Sequence, residues 1–98
     1  LTYRDVTLDL LSCSIRKNGR EAELSKNEFR ILNALFLHPG EVVSRADLIE
    51  YLWDNQIFID DNTLSVNMTR IRAKLAGIGA GDLIETKRGM GYKLGSRE

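Results

Sequence analysis

Apolar residues recur along this chain with two different periods, and the change from one to the other divides it into parts. Val6, Leu8 and Leu10 alternate with Thr7 and Asp9, the period of two that turns one face of a strand inward. Beyond Cys13, the run SIRKNGREAEL holds Asn18-Gly19, a dipeptide that supplies positive φ in a tight hairpin turn, flanked by Ile15 and by Ala22 and Leu24. A small antiparallel sheet is expected in this first quarter. The spacing then becomes helical. Phe29, Leu32, Leu35 and Phe36 share a face that Pro39-Gly40 interrupts. Ahead of them Ser25-Lys26-Asn27-Glu28 forms a capping box, with Leu24 and Phe29 placed as a hydrophobic staple, so a helix is predicted over Lys26 to Leu37. After a brief extended Glu41-Val42-Val43, Ser44-Arg45-Ala46-Asp47 repeats the cap before Leu48, Ile49, Leu52 and Trp53, and Val43 with Leu48 repeats the staple. A second, shorter helix follows from this.

The third helical run, Asn62 to Leu75, has two faces. At about 100° per residue Leu64, Met68, Ile71 and Leu75 fall on one stripe, which belongs in a core. The opposite side carries Val66, Thr69, Arg70 and Ala73, with Asn67 and Lys74 on one flank, and little bulk to obstruct a partner. Asp60 or Asp61 can cap this helix, and Gly77 to Gly81 ends it. Leu83 to Thr86 then reads as a strand, Lys87-Arg88-Gly89-Met90-Gly91 as a turn, and Tyr92-Lys93-Leu94 as the returning strand. Gly95 to Glu98 reads as a frayed tail.

Composition narrows the class. Ninety-eight residues, 43% apolar and 29% charged, fit one soluble globular domain spanning residues 1-98, with neither disorder nor a membrane span. Cys13 alone cannot form an internal disulfide, and with a lone histidine it cannot build a zinc site, so a reducing, cytoplasmic setting is expected. The initial leucine and the lack of a targeting segment read as an excised or processed piece. Cys13 is expected to be a small buried hydrophobe, and His38 to stabilise the carbonyls at its helix end. Asp60-Asp61 and Glu21 to Glu23 are explained by capping and hairpin charge rather than by metal. No nucleophile with a base, metal cluster or phosphate-cradling glycine loop is evident, so no enzyme, cofactor or metal is expected.

The zero net charge conceals an asymmetry. Residues 62–93 hold six basic residues against two acidic, and residues 1–61 hold seven against eleven, so a segment at +4 follows one at −4. Two capped helices, a third with a basic outer face, and a hairpin tipped by Lys-Arg-Gly give the order of an α+β winged helix-turn-helix. Duplex DNA suits both basic parts. A short-chained, hydrogen-bonding helix face can enter the major groove, and an arginine on a glycine-flanked turn can reach the narrow minor groove. The rival reading is a winged-helix protein-protein interaction module whose basic face meets an acidic partner.

The chain also resembles a known family, the C-terminal DNA-binding effector domains of OmpR/PhoB-type response regulators. The resemblance rests on Leu24 to Phe29 followed by Leu32, on Val42-Val43-Ser44-Arg45 with Leu48 and Trp53, on Thr63 to Leu75, and on Thr86 to Tyr92. Asp60 to Asn67 is similar to the subgroup that answers cell-envelope-active peptides such as bacitracin or nisin, which links the chain to antibiotic resistance. The resemblance implies that Val66 and Arg70 face bases, with Asn67 and Thr69 beside them. It implies phosphate or edge contacts from Trp53, Thr63, Arg72, Thr86 and Tyr92, with Lys74 as a further clamp, and a minor-groove wing of Lys87, Arg88 and Gly89. Trp53 equally reads as a core anchor. Many relatives carry arginine at the position of Asn62 and aspartate at that of Ser65, so affinity is expected to lean on Arg72 and Lys74. It further implies head-to-tail dimers on direct repeats at promoters, and a receiver domain, absent from this chain, through which a histidine kinase would act. The loop from Asp54 to Asp61, with Asp54, Gln56, Ile57, Phe58 and Asp60, resembles an activation loop that touches RNA polymerase; Ile57 or Phe58 packing into the core is the alternative.

Overall fold

In the computed structural model, which describes residues 1–52 and 60–95, the first quarter is a four-stranded antiparallel sheet. Its strands β1 (Thr2–Tyr3), β2 (Val6–Asp9), β3 (Ser14–Lys17) and β4 (Arg20–Glu23) lie side by side in chain order. Asn18 and Gly19 both take positive φ, 52° and 81°, so the β3–β4 hairpin closes in the primed turn that matches strand twist. Val6, Leu8 and Ile15 form the inner face. Two expectations fail at the end of β2. Its Asp9 carboxylate accepts the backbone N–H groups of Leu11 and Ser12 at 2.9 and 3.2 Å, which turns the chain out of the strand. Leu10 therefore leaves the inward alternation and is half exposed, and Cys13, at φ 52°, is exposed rather than buried.

Three helices follow: α1 (Lys26–Leu37), α2 (Arg45–Leu52) and α3 (Asp61–Gly77). Each begins on a side-chain cap. At α1 both halves of the box are made: Glu28 N–H donates to the Ser25 hydroxyl at 3.2 Å and Ser25 N–H to the Glu28 carboxylate at 2.8 Å. Ser44 caps α2 by accepting from Asp47 N–H, and Asp60 caps α3 by accepting from Thr63 N–H. These Thr63 bonds, backbone first, hold the Asp60 carboxyl below its ordinary range. At the end of α1 the backbone N–H of His38 satisfies Leu35 O; its imidazole turns to the Glu41 carboxylate, 4.0 Å away, and not to the helix carbonyls.

The C-terminal hairpin is larger than the sequence predicts. Strands β6 (Ile84–Lys87) and β7 (Gly91–Leu94) pair, and β7 also pairs with β5 (Val43–Ser44), giving a three-stranded sheet in the order β5-β7-β6. Gly91 makes this possible, because a Cβ there would lie 2.0 Å from Val43 O. The wing is thereby anchored to the segment that starts α2. One core joins all parts: Leu8 and Ile15 from the first sheet, Ile31, Leu32 and Leu35 from α1, Leu48 and Leu52 from α2, Leu64, Ile71 and Leu75 from α3, and Leu94 from the wing. No helix among the described residues is long and apolar enough to cross a membrane. Trp53 and the loop from Asp54 to Ile59 lie outside the described residues, so the expectations placed on Trp53, Asp54, Gln56, Ile57 and Phe58 have no structural counterpart here.

The close approach at Gly91 gives a direct test. Gly91→Ala is expected to destabilise the domain by about 2 kcal/mol or more, because the neighbour that must yield is backbone. Thermal unfolding of the two chains measures it; equal melting temperatures would contradict the β5–β7 contact.

Candidate nucleic-acid interface

The apolar stripe of α3 is buried as its spacing requires, with Leu64, Met68, Ile71 and Leu75 all inside. Val66, Thr69, Arg70 and Ala73 are exposed on the other side, and Asn62 and Ser65 extend that face toward the N-terminus. Val66 leaves 41% of its surface open, unusual for valine and consistent with an apolar contact surface. Thr69 bonds back to Ser65 O at 3.0 Å, which leaves its methyl and oxygen on the helix surface. Arg70 has neither a hydrogen-bond nor an ion-pair partner among the described residues.

Each flank of this face is tied to a different element. On one side Arg72 donates to the Thr86 hydroxyl of the wing and lies 5.8 Å from the centre of the Tyr92 ring. Arg45 stacks on that same ring at 5.7 Å and donates to the Tyr92 hydroxyl at 2.7 Å. The Arg45 guanidinium also reaches the start of α3, bonding the Asp61 carboxylate and carbonyl and the Ser65 hydroxyl at 3.0, 3.1 and 3.0 Å. One planar fork thus joins the start of α2, the start of α3 and the wing, a geometry that lysine could not reproduce. Burial opposes the Arg45 charge, but the bonds to Asp61 and Tyr92 outweigh it and raise its pKa further. In the sequence Arg45 stands out only in the α2 cap and in the motif that carries the family resemblance; nothing local signals a partner sixteen or forty-seven residues away.

On the other flank Lys74 donates to the Glu28 carboxylate at 2.6 Å and to Glu23 O at 2.7 Å. Glu28 is almost wholly buried, so its charge depends on this partner. Burial pushes the Glu28 carboxyl up, yet the bonds from Lys74 and from Ser25 N–H prevail and hold it below the ordinary range. The ammonium expected as a phosphate clamp is thus engaged by two protein acceptors, although 35% of the Lys74 side chain is exposed. Asn67 is similarly turned inward, 6% exposed, with its amide donating to Thr63 O at 2.9 Å. Between this flank and the first turn of α1 runs an open groove bordered by Lys26, Asn27, Thr63, Val66 and Arg70.

The wing presents its own cations. Arg88 is exposed at the turn and has no hydrogen-bond or ion-pair partner among the described residues, Gly89 beside it takes φ 75°, and Lys87 lies 3.4 Å from Glu85. Tyr92 is largely buried and Thr86 exposed. The structure therefore brings Val66, Thr69 and Arg70 together on one open face, with Thr63, Arg72 and Thr86 at its margins and Arg88 projecting from the wing.

Comparison with known proteins identifies the family. A family model described as "Transcriptional regulatory protein, C terminal" matches residues 19–94. The chain belongs to that family. It is 47% identical over 92 residues to the response regulator protein GraR of Staphylococcus saprophyticus, a match that covers 94% of this chain and 41% of that protein. The chain thus spans about two fifths of the length of the curated relatives it matches. Among solved structures, the C-terminal domain of the nisin resistance regulator NsrR, a lantibiotic response regulator, is 47% identical with a TM-score of 0.84, covering 96% of this chain and 94% of that one. The DNA-binding domain of Klebsiella pneumoniae RstA, solved in complex with the RstA box, is 25% identical with a TM-score of 0.79, covering 99% and 97%. The α+β winged-helix fold is that of this family, and membership gives the chain a part in transcriptional regulation.

Two consequences of the flanking ties can be measured. A carboxyl held low in the folded state gives stability that is present above its unfolded value and lost as pH falls through the native one. Glu28→Gln should therefore cost about 2 kcal/mol at neutral pH and flatten the acid limb of the stability curve; a limb unchanged from wild type would contradict the Lys74 pairing. Arg45→Lys should destabilise nearly as much as Arg45→Ala, by about 1–3 kcal/mol in chemical unfolding, since the fork and not the charge makes the contacts.

Proposed function

We propose that this domain recognises duplex DNA by laying α3 in the major groove while the wing reaches the adjacent minor groove. The observation that supports it is the open face of Val66, Thr69 and Arg70, whose single unpartnered cation lies where both flanks are already engaged by protein. Arg70 is suited to donate to guanine O6 and N7 as a bidentate pair, and Val66 to meet a thymine methyl. Thr69 borders them, and Asn67 acts from behind by holding the first turns of α3. Thr63, Arg72 and Thr86 stand at the phosphate edge, where the largely buried Tyr92 backs Arg72, with Trp53 a further contact from outside the described residues. Arg88, with Lys87 and Gly89, enters the minor groove, whose narrow A·T-rich form attracts arginine.

The relatives support a wider setting as part of the same proposal. The chain serves as a single winged-helix effector domain of a cytoplasmic two-component response regulator, with a receiver domain answering a histidine kinase. It acts as a head-to-tail dimer on direct repeats and meets RNA polymerase through the loop from Asp54 to Asp61. Likeness to GraR and to the nisin resistance regulator NsrR favours a role in resistance to envelope-active peptides.

Selection of duplexes from a random pool supplies an operator on which this can be tested. Arg70→Ala should lose about 1–3 kcal/mol of discrimination between that operator and a base-substituted one, and Arg88→Ala should weaken binding most on A·T-rich flanks. Unchanged operator binding by both variants would refute the proposal, and failure to enrich any duplex would favour an acidic protein partner.

A further inference from the structure

A helix with its side chains is about 10–12 Å across and the major groove about 12 Å wide, so a helix seated there meets a phosphate edge along each flank. The two flanks of α3 are not alike. At about 100° per residue, with Val66 at the centre of the exposed face, Ser65 and Arg72 lie about 110° to one side and Asn67 and Lys74 about 90° to the other. The first side has the wing, with Arg45 and Arg72 against it. The second was expected to be served by Lys74, but that ammonium is bound to Glu28 and Glu23 O, and Asn67 is buried. A cation is still available there. Lys26, in the first turn of α1, is exposed, has no hydrogen-bond or ion-pair partner among the described residues, and borders the groove that Val66 and Arg70 line from across the way. Asn27 borders it beside Lys26 and adds an amide donor.

We infer that Lys26 of α1, and not Lys74 of α3, neutralises the backbone phosphate on the flank of α3 away from the wing, with Asn27 donating beside it. This rests on the placement of α3 in the major groove proposed above. Helix α1 then acts on both sides of the interface. Its Glu28 holds α3 from inside, while its Lys26, two residues earlier, holds the DNA strand that α3 faces. The capping box fixes both, because Ser25 sets where α1 begins and therefore how far Lys26 stands from the groove.

Fluorescence anisotropy of the 98-residue chain on its selected duplex, over a series of salt concentrations, tests the assignment. Loss of one phosphate contact should lower the slope of log affinity against log salt by about one and weaken binding about five- to tenfold at 0.1 M salt. Lys26→Ala should do both while preserving the ranking of base-substituted duplexes and the melting temperature. Arg20→Ala, which removes an exposed charge on the β3–β4 hairpin, should leave the slope as in wild type and so exclude a general loss of positive charge. A wild-type slope for Lys26→Ala, with Arg72→Ala reducing it, would overturn the inference while leaving major-groove binding intact. A wild-type chain with no salt-dependent duplex binding would overturn both.

Discussion

Lys74 and Glu28 meet at 2.6 Å in the crease between α1 and α3, and the orientation of α3 depends on that contact. A helix packed only through leucine and isoleucine can roll by a few degrees at small cost, since apolar attraction has no direction. Charge-assisted hydrogen bonds do. Glu28 accepts the cap N–H of its own helix and the ammonium of the other, so the start of α1 and the middle of α3 are fixed by one carboxylate. Burial raises the stakes: without Lys74 the charge would be stranded. The rotation of Val66 and Arg70 toward solvent follows from this pair as much as from the apolar stripe beneath them.

The opposite flank is held by aromatic stacking rather than by burial of an ion pair. Tyr92 stands between Arg45 and Arg72, and each arginine reaches past the ring to a different element. Tyr92 can occupy that place because its neighbour Gly91 lets β7 lie directly against β5. The wing is thus positioned by the same residues that set the start of α3, which ties the two parts to each other. Three arginines have three different fates: Arg45 is spent within the protein, Arg72 stands at the border, and Arg70 is left open.

Local signals in the sequence revealed the elements and missed the ties between them. Ser25-Lys26-Asn27-Glu28 specifies the beginning of α1 to the residue, and Asn18-Gly19 the β3–β4 turn, because in both cases donor and acceptor lie within three or four positions. The face of α3 was legible from period alone. What periodicity cannot show is which polar residue spends its charge internally. Lys74 and Lys26 look equally solvated in the sequence, and only the approach of α1, forty-six residues before Lys74, separates them. Leu10 and Cys13 failed for the converse reason, since Asp9 captured the backbone locally and ended an alternation that continued in the letters. Strand β5 was read as a mere extended link because its partner, β7, lies nearly fifty residues on.

Likeness to other transcriptional regulator C-terminal domains establishes the fold and the class of function, whereas the tethered geometry of α3 is what the proposed assignment of residues rests on. Backbone amide chemical shifts of the isotopically labelled domain, followed as a selected duplex is added, test that most directly. The shifts should move most at Val66, Thr69 and Arg70, at Lys26 and Asn27, and at Arg88 and Gly89, with the sheet from Val6 to Lys17 undisturbed. Perturbation centred on that sheet, with α3 unchanged, would contradict the account.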